Sequence, residues 1–260
     1  MDITILRTRK SVERRSPVMD ELVETLRRHG AGVTHVHPEE VNVTDEPLRA
    51  TDVCVLKAKS TDALTLARRY HEADVPTISP YPVTALCRDK LATNMVLQSS
   101  GVPVPACVSV THPDDVLPLL ARGPVIIKPV RGSRGRGIEV VHTAEELPAD
   151  FGDEEMFAQR YFAPDGLDRK IYRIGDEVFC VMRVWPPTDQ QKFGEVVTLP
   201  PALERIARDC GDALGTDVYG VDIIEHDGEP WVVDLSSFPG FKGVPDAGRR
   251  LAERVLAAAG

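Results

Sequence analysis

Pro124-Val-Ile-Ile-Lys-Pro-Val-Arg-Gly-Ser-Arg-Gly-Arg-Gly-Ile-Glu-Val-Val141 runs from an apolar, β-branched segment into a basic loop punctuated by glycine, then back into a second apolar segment. The pattern predicts a hairpin over 124–142 with the loop at its tip. Gly132, Gly135 and Gly137 can take φ > 0, which lets backbone N–H groups close on an anion, and Ser133 lies between them. Arg131, Arg134 and Arg136 add positive charge in a chain whose formal net charge is −9. The combination reads as a flap over phosphates; a solvated hairpin tip with ordinary turn glycines is the plain alternative. Neither G-x-x-x-x-G-K-[ST] nor a G-x-G-x-x-G that opens a helix after a strand occurs, so a nucleotide would be held by a sheet.

Outward from this hairpin the chain divides into three units, 1–86, 87–155 and 156–260. The first is a small α/β layer of order β-α-β-β-α-β. Residues 2–7 alternate as a strand, and Ser16-Pro17 opens a helix whose Val18, Leu22, Val23 and Leu26 share one face up to Gly30. Strands follow at 33–37, 52–57 and 75–79, with a helix from Thr61 or Asp62 through Tyr70. The central unit has a helix over 89–100, the extended connector Gly101-Val-Pro-Val-Pro105, the hairpin and a helix at 143–147. The last unit begins with a strand over 156–162. A hairpin turned at Gly175-Asp176 comes next, then a helix over 201–214 and strands at 219–224 and 230–235 around His226-Asp227-Gly228. An amphipathic helix from about Pro245 closes it. Pro186-Pro187 to Lys192 is the least structured stretch, a candidate mobile loop.

At 260 residues, with 42% hydrophobic and 27% charged side chains, the composition is that of a soluble globular enzyme. The N-terminus does not read as a signal peptide and no segment is long enough to span a membrane, so a cytoplasmic location and no membrane partner are expected. Five scattered cysteines without a C-x-x-C pair point to reduced thiols and no zinc site. The acidic balance argues against nucleic acid as a partner. His35 and His37 alternate on one strand and read as structural or solvated. The sequence leaves a homodimer open.

Asp222 and Asp234 fall on adjacent expected strands, each flanked by apolar residues. A lone carboxylate in such a setting neutralises; two facing one another call for a cation, and oxygen ligands of this type suit Mg²⁺. Strand-end acids paired with Lys or Arg are the alternative. Lys128 ends the strand that feeds the glycine loop, and Lys90 follows Asp89 at a helix start. Phe157, Tyr161 and Phe162 could wall an adenine or serve as a plain core strand. The first strand runs into Arg7, Arg9, Lys10, Arg14 and Arg15, and the third ends at Lys57 and Lys59. Ligands gather beyond the carboxyl ends of strands in α/β layers, so these clusters could line one cleft for an anionic acceptor, a carboxylate or a phosphate. Two solvated loops would look the same.

Taken in order, Arg88-Asp-Lys-Leu-Ala-Thr93, Gly101-Val-Pro-Val-Pro105, Ile126 to Ile138, Gln159-Arg-Tyr-Phe162, Gly220-Val-Asp-Ile-Ile224 and Val233-Asp-Leu-Ser-Ser-Phe-Pro-Gly-Phe241 resemble the ATP-grasp superfamily. The resemblance implies an α/β N-terminal domain followed by an α+β ATP-grasp fold, two subdomains whose antiparallel sheets sandwich ATP. It implies that Lys90 and Lys128 contact the phosphates, and that Gln159, Arg160, Tyr161 and Phe162 line the adenine pocket. Asp168 would lie near the ribose and Arg183 would reach the phosphates, with Lys170 also in the nucleotide site. Asp222 and Asp234 would hold Mg²⁺. The family usually places Asn two residues beyond the second acid; Ser236 stands there, a shorter and poorer metal ligand. The arginine-bearing loop and the 201–224 pattern resemble RimK-type glutamate ligases. The spacing from Lys170 through Gly175 to Arg183 and the Asp234 to Val244 segment are similar to ATP-grasp inositol polyphosphate kinases. The first branch implies a Mg-ATP-dependent carboxylate–amine ligase acting through an acyl phosphate on a small-molecule or peptide acceptor, with Arg183, Lys128 and Asp234 catalytic. The second implies a kinase of a polyanionic alcohol. Ser236 also admits a nucleotide-binding protein with little turnover.

Overall fold

A computed structural model describes residues 1–44, 48–132, 137–184 and 194–260. Its first layer is a four-stranded parallel sheet of order β2-β1-β3-β4, made of β1 (Asp2–Leu6), β2 (Gly32–Val36), β3 (Val53–Leu56) and β4 (Thr77–Ile78). Between the strands lie α1 (Arg9–Glu13), α2 (Pro17–Arg28) and α3 (Thr61–Glu72), and α4 (Tyr81–Leu86) follows β4. Helix α2 starts as its sequence dictates: Ser16 Oγ accepts from the Met19 N–H, and Pro17 fills a position whose N–H would have no partner. The short helices α1 and α4 were not expected from the sequence. Neither is long enough to show a clear helical period.

The central layer contains α5 (Lys90–Ser99), α6 (Leu117–Leu120) and an antiparallel sheet of order β5-β8-β6-β7. Its strands are β5 (Cys107–Val110), β6 (Val125–Pro129), β7 (Glu139–Val141) and β8 (Met156–Arg160). β6 and β7 form the expected hairpin. The boundary after residue 155 needs correction, because β8 pairs with β5 and β6 and so belongs to this sheet rather than to the last unit. At 143–147 the chain makes only a single 3₁₀ turn, Ala144–Glu146.

The last layer is a five-stranded antiparallel sheet of order β11-β10-β9-β12-β13. Its strands are β9 (Leu167–Ile174), β10 (Glu177–Val184), β11 (Glu195–Val197), β12 (Val218–His226) and β13 (Glu229–Ser236), with α7 (Pro201–Leu214) before β12 and α8 (Ala247–Ala258) after β13. β9 and β10 turn at Gly175, whose φ of 61° would strain a residue bearing a Cβ. The Pro-rich stretch over 186–192 lies outside the described residues.

One hydrophobic core joins the first and last layers. Ile3, Ile5, Met19, Leu22, Val53 and Val55 pack in the same cluster as Tyr172, Val181, Phe238, Phe241, Leu251 and Val255. Each such side chain taken fully from water contributes roughly 1.5–3 kcal/mol. Helix α8 lies directly on α2, and Gly248 makes the approach possible: a Cβ there would stand 2.5 Å from the Val18 carbonyl oxygen and 2.6 Å from Glu21 Cβ. The Gly248 N–H donates to the Glu21 carboxylate at 3.0 Å. No helix among the described residues is long and apolar enough to cross a membrane, and all five cysteines are free.

Candidate active site

Strand pleating builds the site. Side chains two residues apart share a face, so Asp168, Lys170 and Tyr172 of β9 point the same way, as do Gly220 and Asp222 of β12 and Asp234 and Ser236 of β13. The register sets Lys170 opposite Asp222, and Asp222 opposite Asp234, in one row across three strands. Asp168 stands opposite Arg183 of β10, and Gly220 lies between Tyr172 and Ser236. Gly220 has a steric reason: a Cβ there would come within 2.9 Å of Pro239 Cγ and 3.1 Å of Tyr172 Cδ1. Tyr172 was not foreseen as part of this face, although the alternation of Asp168 and Lys170 continues to it.

Every acid in the row is held by a cation. Lys170 Nζ contacts the two Asp222 oxygens at 2.6 and 2.9 Å. Lys90, at the first position of α5, pairs with Asp234, and Arg183 pairs with Asp168. α5 is fixed by the Asp89 carboxylate, which accepts from the Ala92 N–H at 2.9 Å, and by the Lys90 N–H, which donates to Val130 beyond the end of β6. Lys128 of β6 reaches in from the central sheet, buried, with its ammonium donating to Gln159 Oε1 at 3.0 Å. Burial lowers the Lys128 ammonium to about 8, against the pull of Asp234.

The two acids differ. Asp222 is pushed up to about 6, first by burial and then by the neighbouring Asp234, with Lys170 opposing. Burial acts on Asp234 as well, but Lys90, Lys128 and Lys59 outweigh it and hold the carboxyl below its usual range. Asp234 is crowded by protein yet keeps 47% of its side-chain surface open, as expected at the floor of a cleft. Two carboxylate donors side by side suit a hard divalent cation such as Mg²⁺. Among the described residues no group of three or more His, Cys, Asp or Glu forms a ready-made metal nest, so an ion there would draw further oxygens from a ligand or water.

The other expected site residues are placed as follows. Gly137 has φ 66°, whereas Gly132 is not in the left-handed region; it is small because a Cβ would stand 3.2 Å from Pro129 Cβ. The expectations at Ser133 and Gly135, and for Arg134 and Arg136, lie outside the described residues. Gln159 serves Lys128 through its side chain. The Arg160 and Tyr161 N–H groups donate to the Ala106 and Pro124 carbonyls at 2.8 and 2.9 Å. The side chains of Arg160 and Phe162 are engaged in packing. The Phe162 ring stacks on Trp231 at 4.6 Å and His226 at 5.1 Å, with the Arg160 guanidinium 5.6 Å from its centre. Asp168, expected near a ribose, is taken up by Arg183.

The outer members of the two basic clusters separate, while Arg7 stays near enough to Lys57 to help burial lower its pKa. Arg9 is bound by Glu40 at 2.6 Å on the surface, and its backbone N–H donates to Glu39. Lys10 lies in α1 beside it. The Arg7 side chain is buried and donates to the Ser11 carbonyl at 2.7 Å. Lys57 and Lys59 instead turn toward the last layer. Lys57 Nζ donates to the Phe238 and Pro239 carbonyls at 2.8 and 2.7 Å and sits 4.5 Å from the Phe238 ring centre. Burial lowers it to about 7. Ser79 Oγ donates to the Ser237 carbonyl at 2.7 Å, so the segment after Asp234 is held from the first sheet at several points. Lys59 Nζ donates to Ser236 Oγ at 3.1 Å. Ser236, expected as a metal ligand, thus has an ammonium at its hydroxyl oxygen.

Comparison with known proteins gives a matching family model, the RimK-like ATP-grasp domain, over residues 87–259. A probable alpha-L-glutamate ligase of Methanococcoides burtonii is 22% identical over 240 residues, covering 85% of this chain and 80% of the relative. Among solved structures, a RimK domain ATP-grasp protein from Sphaerobacter thermophilus superposes with a TM-score of 0.77 at 19% identity, covering 98% of this chain and all of that one (100%). A D-alanine–D-alanine ligase from Bacillus anthracis, solved with ATP, gives 0.74 at 18% identity, covering 100% and 97%. The two structural likenesses agree with the expected fold of two antiparallel sheets behind an α/β layer.

Proposed function

The chain belongs to the RimK-like ATP-grasp family, and from that premise we propose that it is an ATP-dependent ligase joining a carboxylate to an amine through an acyl phosphate. The observation that carries this reading is the row Lys170–Asp222–Asp234–Lys90, with Lys128 entering from the opposing sheet. Such a row is neutralised within itself and open to exchange. Asp222 and Asp234 would hold a divalent ion, and Lys90 and Lys170, no longer needed to balance them, would then be donors for phosphate oxygens.

Mg²⁺ bound there supplies positive charge that offsets the charge developing on the transferred phosphoryl group. The chain's own groups do the rest. Lys128, kept nearly dry on β6, presents a donor fixed by Gln159 to the phosphates, and Arg183, oriented by Asp168, offers the rest of its planar fork. The acceptor carboxylate oxygen attacks the γ-phosphorus, the bond to the β–γ bridging oxygen breaks, and ADP leaves. The amine nitrogen then attacks the acyl carbon, the carbon–oxygen bond to phosphate breaks, and the amine loses a proton as the amide forms. The proposed cleft is bounded by Lys59 and Ser236 on the side of the first layer, where an anionic small molecule or peptide end would enter.

The test incubates purified protein with ATP, Mg²⁺ and paired panels of carboxylates and amines, with glutamate first because of the relative's name. Phosphate release that requires both partners, with heavy oxygen from a labelled carboxylate appearing in the released phosphate, is the expected result. Transfer of the γ-phosphate to a stable hydroxyl ester in an inositol-phosphate panel would replace the ligase reading with a kinase. Nucleotide binding without turnover across both panels would remove catalysis from it.

A further inference from the structure

We propose that Lys59 is a fixed cation of the reaction site, standing where a second divalent ion would otherwise sit, so that this protein binds its nucleotide with one metal ion. The inference rests on the nucleotide reading above and specifies its charge balance. Asp234 and Ser236 share a face of β13, two residues apart, and the space between their oxygens is the natural place for a cation bridging the acid to residue 236. The Lys59 ammonium stands on the Ser236 side of that space. It donates to Ser236 Oγ at 3.1 Å, and it is close enough to Asp234 to help hold that carboxyl below its usual range.

Its origin matters. Lys59 comes from the first layer, at the carboxyl end of β3, and not from either sheet that would clamp the nucleotide. Lys57, two residues earlier, anchors the same segment by bonding the Phe238 and Pro239 carbonyls. The position of Lys59 is therefore fixed by the backbone it extends from and by the loop it faces. A serine hydroxyl is a weak ligand for Mg²⁺ compared with a carboxylate, and here its oxygen already accepts from an ammonium.

The charges agree. Among the described residues, Lys59, Lys90, Lys128, Lys170 and Arg183 face Asp168, Asp222 and Asp234, which leaves an excess of two positive charges. A fully ionised triphosphate brings about four negative charges, and one divalent ion neutralises the remainder. A second ion would leave the same excess that the empty cleft has now. Burial lowers the Lys59 ammonium while Asp234 opposes that shift, and phosphates beside it would favour its charged form, so Lys59 is a counter-charge supplied by the chain and independent of metal concentration.

The experiment titrates Mn²⁺ into wild-type protein saturated with a non-hydrolysable ATP analogue and reads bound metal by electron paramagnetic resonance. Analogue affinity is measured separately by calorimetry. One Mn²⁺ per bound analogue is expected. Lys59→Met should weaken analogue binding about tenfold or more, as for loss of a charge-assisted contact, with an unchanged thermal midpoint because the side chain stands in an open cleft. The Lys59→Met/Ser236→Asn double variant should take up a second Mn²⁺. Two Mn²⁺ per analogue in the wild type, or analogue affinity unaltered in Lys59→Met, would overturn the proposal and leave the ligase reading standing. No analogue binding under any metal condition would overturn both.

Discussion

The first sheet and the five-stranded sheet both send lysines to the same cleft, yet they hold them by opposite means. In the five-stranded sheet Lys170 lies within a strand and is paired with a carboxylate one strand away, as Arg183 is with Asp168. In the first sheet Lys57 and Lys59 follow the end of β3 and bond uncharged oxygens, two carbonyls and a hydroxyl. A cation paired with a carboxylate can be exchanged when another cation arrives. A cation bonded to backbone carbonyls has no such competitor and acts as a fastener. The first sheet therefore fixes the site's shape, and the five-stranded sheet supplies its exchangeable charge.

Removing an exchangeable acid should break this division most severely. Asp234→Asn is expected to lower turnover by roughly a thousandfold or more, about 4 kcal/mol in the barrier, while the thermal midpoint stays within a few degrees of wild type. Steady-state phosphate release and a melting curve check both halves. Full activity would take Asp234 out of the site.

Removing the fastener should instead cost stability first. Lys57→Met leaves the Phe238 and Pro239 carbonyls without their amine donor, with an expected loss of about 2 kcal/mol toward pH 10, where burial of the amine carries little charge penalty. The pH dependence sharpens the point. Lys57 is lowered from 10.5 to about 7 by burial, so between those values the unfolded chain holds a proton that the folded chain has released. Stability contributed by this group therefore rises with pH from about 7 toward 10, by at most about 1.4 kcal/mol per pH unit. Denaturant midpoints at successive pH values should climb for the wild type and flatten in Lys57→Met; parallel curves would refute the assignment.

A smaller effect is expected at Gly220→Ala, where the new methyl group meets Pro239 and Tyr172. Overpacking of this kind costs about 1–2 kcal/mol, and the shift of Pro239 should weaken analogue binding alongside. Urea unfolding and calorimetry distinguish the two consequences. Least of all should follow from Arg9→Ala, because Arg9 is spent on a surface pair with Glu40 away from the fastened segment. Unchanged melting and unchanged nucleotide affinity are expected there. A clear loss of affinity would return Arg9 to the acceptor site that its sequence position suggested.

Local pattern carried much of this into the sequence. Apolar neighbours around Asp222 and Asp234 and the tight turn at Asp227-Gly228 are enough to put the two acids on paired strands, and the β9–β10 hairpin is equally legible from Gly175-Asp176. Partners far along the chain were not legible. Nothing near Lys57 announces that its ammonium ends on carbonyls 181 and 182 residues away. Nor does the alternation within 156–160 say which sheet the strand joins, since period two defines a strand's faces but not its neighbours. Gln159 shows the same limit at one residue: its place in the family pattern suggested a base pocket, and its cross-strand contact with Lys128 depends on the register of β6 and β8.

The packing of α8 on α2 has a consequence for biosynthesis. The apolar face of α2 leaves the ribosome early, and the helix that covers it is encoded more than two hundred residues later. Until then Met19, Leu22 and Leu26 have no α8 to meet, so the first layer waits as an incomplete body with a sticky flank. Nascent chains halted before Ala247 should accordingly be captured by chaperones that recognise exposed apolar surface, and release should coincide with emergence of the final helix.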